Sequence, residues 1–355
     1  MCVLVLLYSS IPYSIQAIHL EQEETNMKAM LIKEFGDSDV FRQADVPKPT
    51  LKSGHVLIRV EATSVNPVDY KIRRYGLPFA PELPAVLHGD VAGVIEAVGE
   101  GVENFQPGDE VYGCAGGVKG HGGALADYML ADARLIAKKP ESLDFGAAAA
   151  LPLVVITAWE GLIDKADIQP GQHVLVHGGT GGVGHMALQL AKWRGARVTA
   201  TASTLEKLQI AKELGADEGV NYREESVADY VDRLTNGAGF DVVFDSTGGQ
   251  NLPNSFEAAK LNGTVVTPSS SHTYDLSIMH AKGLSLHVVF MLLPMLKDIG
   301  RERHGEILRE AADLVNQGHL KPLLDQERFS FSQVAQAHDR LEQKKATGKV
   351  VLAHD

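Results

Sequence analysis

Cysteine is nearly absent: the 355 residues include only Cys2 and Cys114. Two thiols build neither a disulfide framework nor a four-cysteine zinc lobe, and such scarcity fits a reducing, cytoplasmic setting. An excess of base is missing too. Lys and Arg number 33 against 45 Asp and Glu, a formal net charge of −12. The chain therefore lacks the basic footprint that nucleic acid or an anionic membrane demands of a partner. The apolar run at residues 3–7 is far too short to span a bilayer, and no basic segment precedes it as in a secretory leader. Residues 1–26 read as an extension outside the fold or an upstream start, with Met27 opening the first patterned strand. Internal repeats and low-complexity linkers are lacking as well.

What is present is ordinary for a soluble protein with a large core: 45% apolar and 22% charged residues. The length suggests two domains. From residue 27 to about 150 the pattern is strand and turn. Residues 55–65 and 91–98 alternate at the strand period, Pro107-Gly108-Asp109 turns into residues 110–112, and 124–130 reads as another strand. Many short strands at close spacing predict a partly closed β barrel. Residues 147–162 read as helix, with Pro152 as a kink or restart.

From residue 171 to about 287 the pattern alternates. Strands are expected at 173–177, 197–201, 219–221, 241–245, 263–267 and 284–290, and helices at 205–214, 226–234 and 252–260. Such alternation predicts a doubly wound parallel sheet with helices on both faces, an α/β fold. Further on, a helix at 305–315 stops before Gly318, Ser332 caps a helix at 334–341, and a strand at 348–352 returns to the first domain.

The stretch 172–193 organises the rest. A short apolar run leads into Gly178, Gly179, Gly181, Gly182 and Gly184, then into a strong helix former. Gly179, Gly181 and Gly184 fit G-x-G-x-x-G, where glycines allow the turn, the approach of a pyrophosphate and close helix packing. The helix N-terminus offers free N–H groups to phosphate. Glycine-rich turns are common, so the placement between strand and helix is what gives the pattern its meaning.

Asn66-Pro67-Val68-Asp69, Ile72-Arg73, residues 89–95 (GDVAGVI), residues 107–111 (PGDEV) and the glycine turn, taken in order, resemble the medium-chain dehydrogenase/reductase superfamily. Within it, the chain resembles the zinc-independent quinone oxidoreductase and alkenal/enone reductase branch. The resemblance spans residues 27–352. It implies a GroES-like, partly open β barrel domain (27–154 and 296–355) and a Rossmann domain (155–295), with the active site between them, and often a homodimer. Zinc-bearing members place a cysteine where this chain has Asn66 and a His-Glu pair at Gly89-Asp90. His88 lies one residue early, so no metal is expected.

The resemblance also implies roles. Asn66, Asp69, Tyr70, Lys71 and Arg73 occupy the active-site loop. Asn66 can hydrogen-bond a carbonyl oxygen, Asp69 and Arg73 either take part or pair to hold the loop, and Lys71 polarises a carbonyl, holds cofactor ribose or is a surface lysine. Around a nicotinamide dinucleotide stand Thr157, Gly179, Thr180, Gly181, Gly182, Val183, Gly184, Ser246, Thr247, Gly248, Ser269 and Lys349. The second strand ends in Ser203-Thr204 rather than in the acid that holds an NAD ribose. With Lys207 and Tyr222 (of Asn221-Tyr222-Arg223), this makes NADPH the expected cofactor and a small quinone or carbonyl compound the expected partner. Each has a plainer reading, as solvated lysine, core tyrosine or loop hydroxyl. A zinc alcohol dehydrogenase and a non-catalytic NADPH-binding protein are the alternatives.

Overall fold

The computed structural model describes residues 26–355. The expected extension therefore lies outside the described residues, except that Asn26 already belongs to the first strand. Strand β1 (Asn26–Ile32) pairs antiparallel with β2 (Phe41–Pro47) and with the short β4 (Ala85–Val86). The main N-terminal sheet centres on the long β3 (His55–Val65). One side of β3 meets β5 (Asp90–Val98), then β6 (Glu110–Cys114) and β8 (Ile136–Lys138); β7 (Tyr128–Asp132) also pairs with β3. Gly93 makes the β3–β5 contact feasible: a Cβ there would stand 2.1 Å from the Arg59 carbonyl oxygen. The pairing shifts register next to it, between Val60 and Ala62, as a bulge that bends a sheet would.

The second sheet is wholly parallel. Its strands are β9 (His173–His177), β10 (Arg197–Ala202), β11 (Glu218–Asn221), β12 (Phe240–Asp245), β13 (Ala259–Thr267) and β14 (Ser285–Val288). They run in the order β11-β10-β9-β12-β13-β14, the doubly wound order whose switch point lies between the first and fourth strands. The two-residue side-chain period sorts each strand between two cores. Val174 and Val176 join the cluster with Met186 and Leu190, while Leu175 joins the one with Tyr230 and Phe256.

The connections join the sheets firmly. The helix Pro152–Trp159 is buried throughout and runs into a π-helical turn, Glu160–Lys165. Gly161 lets that turn sit against Phe244, Val266 and Val289. The chain returns through the helix Glu302–Asn316. Strand β15 (Phe329–Ser330) and strand β16 (Val350–Ala353) then complete the N-terminal sheet, β16 pairing antiparallel with β3.

Three local expectations shift. The helix restarts at Pro152, after a short helix Phe145–Ala149. The strand read at 124–130 forms later, as β7, because residues 123–125 are spent on backbone hydrogen bonds with residues 30 and 86–88. Ser332 does not cap the last helix. Ser330 opens a capping box with Gln333, and the Ser332 hydroxyl donates to Asp355.

Candidate active site

The carboxyl end of β9 turns through Gly178–Gly181 into the helix Gly182–Trp193. Gly178 has φ 70°, a left-handed conformation open to glycine. Gly178 and Gly179 donate to Thr201 Oγ1 at 3.2 Å and Thr201 O at 3.1 Å, which pins the turn to β10. A Cβ on Gly184 would lie 2.0 Å from Gly178 O, so the helix reaches the turn only with glycine there. The N–H groups of Gly182, Val183 and Gly184 open the helix without intrahelical acceptors. Gly181 is exposed beside them, leaving a cradle of donors at the positive end of a helix.

Two more turns close the same sheet edge. Asp245 Oδ1 accepts the N–H groups of Thr247 and Gly248 at 3.1 and 2.9 Å and the Thr247 hydroxyl at 2.8 Å. Ser246 Oγ donates to His177 O at 2.6 Å, and Gly249 N–H to Ser269 O at 3.2 Å. Ser246, Thr247, Gly248 and Ser269 thus border the glycine turn. At the other side, Thr204 Oγ1 caps its helix by accepting the Lys207 N–H at 3.3 Å. The register of β10 with β11 sets Ala202 beside Asn221, so Ser203 and the 55% exposed Tyr222 follow on neighbouring strand ends. Lys207 is half-buried in the first turn of the same helix. Thr157 is buried, and its hydroxyl donates to Leu153 O at 2.6 Å within its own helix, so that hydroxyl is engaged internally.

A dry polar cluster lies on the barrel side. Asn66 follows β3 and caps the start of the helix Pro67–Tyr75. Its Nδ2 donates to Asp90 Oδ2 at 2.7 Å. The same oxygen accepts the Ser64 hydroxyl at 2.7 Å, and Asp90 Oδ1 accepts the Leu153 N–H at 2.8 Å. Lys349 Nζ completes the group, donating to Asn66 Oδ1, to Val65 O at 3.2 Å and to Asp90 Oδ2 at 3.4 Å. Asn66, Asp90 and Lys349 are at most 2% exposed. Burial draws the Lys349 ammonium below its usual range, while Asp90 and Asp69 pull the other way.

Lys349 also ties this cluster to the glycine turn. Gly348 N–H donates to Thr180 O at 3.0 Å, and the Lys349 stem passes 3.5 Å from where a Cβ on Gly182 would stand.

The loop residues divide. Asp69 accepts the Asn66 N–H at 2.7 Å, and burial pushes its carboxyl up to about 7, with the Asn66 N–H opposing and the Asp90 charge adding. Arg73 does not pair with Asp69; it is fully buried and bonds Glu342 at 2.7 Å. Tyr70 is half-buried, and burial, aided by the Glu342 charge, holds its phenol protonated above the usual range. Lys71 faces outward, exposed. Asp90 and Ser64 were not singled out from sequence. The legible signal was an acid opening the otherwise apolar strand 90–95, which must find a partner once buried.

Residues 52–141 match the alcohol dehydrogenase GroES-like domain family, and residues 214–352 match a family described as zinc-binding dehydrogenase. The chain is 38% identical over 339 residues to a 2-methylene-furan-3-one reductase of Solanum lycopersicum, covering 92% of this chain and 79% of that one. It is 32% identical to the human quinone oxidoreductase, covering 92% and 97%. Among solved structures, an alcohol dehydrogenase superfamily protein from Novosphingobium aromaticivorans superposes with TM-score 0.88 at 40% identity over 93% of this chain and 100% of that one. The mycobacterial Rv1454c complexed with NADPH superposes at 0.81, with 31% identity over 92% and 99%.

The chain belongs to the medium-chain dehydrogenase/reductase superfamily. It is an oxidoreductase of that superfamily, built as a GroES-like barrel sheet beside a Rossmann sheet.

A medium-chain dehydrogenase with catalytic zinc needs converging thiolate, imidazole or carboxylate donors. The residues here do not fit that metal. An amide stands at Asn66, and the Asp90 carboxylate already serves Ser64, Asn66, Leu153 and an ammonium. His88, with φ 73°, turns away to His338, Nε2 to Nε2 at 2.8 Å; burial holds it down at about 3. His173 and His177 are four apart, but on strand β9 that spacing separates them by about 13 Å, and each bonds a threonine of β10. No three His, Cys, Asp or Glu side chains converge among the described residues.

The dinucleotide cradle, by contrast, fits this superfamily's nicotinamide cofactor: Gly184 lets the helix close on the turn, and the helix N–H donors are left open at its end.

Proposed function

We propose that this medium-chain reductase uses NADPH, without zinc, to reduce quinones or carbon–carbon double bonds conjugated to a carbonyl. One observation carries the reading: the donor cradle at Gly181–Gly184 faces, across Lys349, a buried amide at Asn66 held against Asp90. The names of similar proteins support the substrate class. An Arabidopsis thaliana relative, 36% identical over 92% of this chain, is named NADPH-dependent alkenal/one oxidoreductase.

The cofactor, when bound, supplies hydride to an electron-poor carbon. The chain's own residues do the rest. Asn66 donates to the conjugated oxygen as negative charge grows there in a dry site, with the Lys349 ammonium bound to the amide's own oxygen behind it. Tyr70, kept protonated, is a proton source at the same loop; Asp69 and Arg73 hold that loop; Lys71 reaches out from it toward bound ligand. The diphosphate rests on residues 179–184. The turns at Ser246–Gly248 and Ser269, with Thr157 beneath, border the nicotinamide. Ser203, Lys207 and Tyr222 take the 2′-phosphate. We assign 27–154 and 296–355 to the substrate-side domain and 155–295 to the NADPH domain. Exposed Ile278, Val288 and Leu293 around the edge strand β14 support a homodimer, and we place the protein in the cytoplasm.

The test is NADPH oxidation by the purified protein against a quinone, an alkenal, an enone and, in reverse, a simple alcohol with NADP. Turnover of the first three is expected. Alcohol oxidation alone would make this a conventional alcohol dehydrogenase; tight NADPH binding without any turnover would make it a sensor.

A further inference from the structure

Asn66 is an amide whose orientation the structure settles. Its Oδ1 faces the Lys349 ammonium, and its Nδ2 faces the Asp90 carboxylate. Flipping the amide would set NH2 against an ammonium and carbonyl oxygen against a carboxylate, losing two charge-assisted bonds and creating two repulsions. The flanking charges are themselves fixed. Lys349 has three protons and three acceptors: Val65 O, Asn66 Oδ1 and Asp90 Oδ2. Asp90 is held by Ser64 and by the Leu153 backbone N–H. All three side chains are nine-tenths buried or more, so water does not compete for these partners. One Asn66 N–H is thereby consumed by Asp90. The second makes no further bond of ordinary hydrogen-bond geometry among the described residues; the Asp69 carboxyl, which already takes the Asn66 backbone N–H at 2.7 Å, is the neighbouring acceptor that a substrate oxygen would displace.

We propose that Asp90 and Lys349 are positioning residues that lock the Asn66 amide with its second N–H presented to the substrate's carbonyl or quinone oxygen. This deepens the function proposed above and rests on it. Lys349 is the more consequential partner, because it comes from the C-terminal segment whose backbone bonds Thr180 of the glycine turn. The amide is therefore aimed by a residue anchored to the cofactor's own cradle, which fixes donor and hydride source in one frame. Removing one preorganised donor of this kind typically lowers kcat by about 10²–10³-fold.

The experiment is a double-mutant cycle of Asn66→Ala and Lys349→Met, with Asp90→Asn as a third single variant. Three quantities are read: kcat and KM with an enone, NADPH affinity by nucleotide fluorescence, and melting temperature. Each single variant is expected to lose about 10²-fold in kcat with NADPH affinity within a few-fold of wild type. The double variant is expected to be no worse than Asn66→Ala alone, since Lys349 acts through the amide. Added methylammonium is expected to restore part of the Lys349→Met activity and none of the Asn66→Ala activity. Losses that multiply in the double variant, or an NADPH affinity that falls as far as kcat/KM, would overturn the proposal and make Lys349 a cofactor ligand acting on its own. If the wild type reduces neither enone nor quinone, the functional reading fails. The melting-temperature cycle then decides the lock by itself: effects that simply add would show that Lys349 does not hold the amide.

Discussion

Asp69 is an acid buried where its charge is disfavoured. Its carboxyl stands at about 7 against an ordinary value of 3.8, chiefly through burial, with the Asp90 charge adding. Below about pH 4 the folded and unfolded chains both hold the proton. Between 4 and 7 only the unfolded chain releases it, so this residue's contribution to stability falls as pH rises through that window and levels off above it. At about 1.4 kcal/mol per unit the loss is on the order of 4 kcal/mol. Asp69→Asn keeps an oxygen for the Asn66 N–H and removes the ionisation. It should melt several degrees above wild type at pH 8, with the gap closing toward pH 4; a gap that widens in acid would reverse the assignment. Lys207 makes a second case at this scale. It is half-buried in the first turn of the helix Leu205–Glu213, just after Ser203, which follows the second strand at the place where an NAD-binding unit carries an acid. Lys207→Glu is expected to raise the NADPH KM at least tenfold and leave the NADH KM nearly unchanged. Equal effects on the two would remove the 2′-phosphate from this corner.

At the scale of elements, the helix Gly182–Trp193 depends on one missing methyl group. A Cβ at Gly184 would meet Gly178 O at 2.0 Å, backbone that cannot swing aside. Gly184→Ala should push the helix off the turn, weaken NADPH binding at least tenfold in a fluorescence titration, and lower the melting temperature. This element was legible in the sequence because everything that makes it is local: apolar strand, glycines, helix former. So were the six strands of the parallel sheet, since most of them alternate or run apolar between turn residues. Ends set by non-local partners were not. Ser332 looks like a cap until Asp355 takes its hydroxyl. Asp69 and Arg73, four apart on one helix, look like a pair until Glu342, distant in sequence, claims the guanidinium. The site divides the same way. Asn66 stands out by its motif, but the partners that orient it come from residues 90 and 349, and no spacing rule links those to it.

Over the whole molecule, one apolar core runs through both sheets. Val56, Ile58 and Val91 of the barrel side share it with Val174, Val176 and Ala200 of the parallel sheet, bridged by Val154–Ile156. The chain also passes from one sheet to the other and back, ending with β16 inserted beside β3. Two sheets joined so broadly should unfold together. Calorimetry is expected to show one endotherm, with Asn66→Ala shifting it as a unit, and two resolved transitions would mean that the sheets are independent.

The position of Lys349 has a consequence beyond the reaction itself. Zinc-bearing relatives must acquire their positive charge from the surroundings after synthesis, and they share the fate of that supply. In the site proposed here the positive charge is written into the polypeptide itself, on the residue that leads into β16. Under the proposed function, competence follows synthesis through residue 349 rather than metal traffic: a product truncated before that residue lacks the cation as well as strand β16.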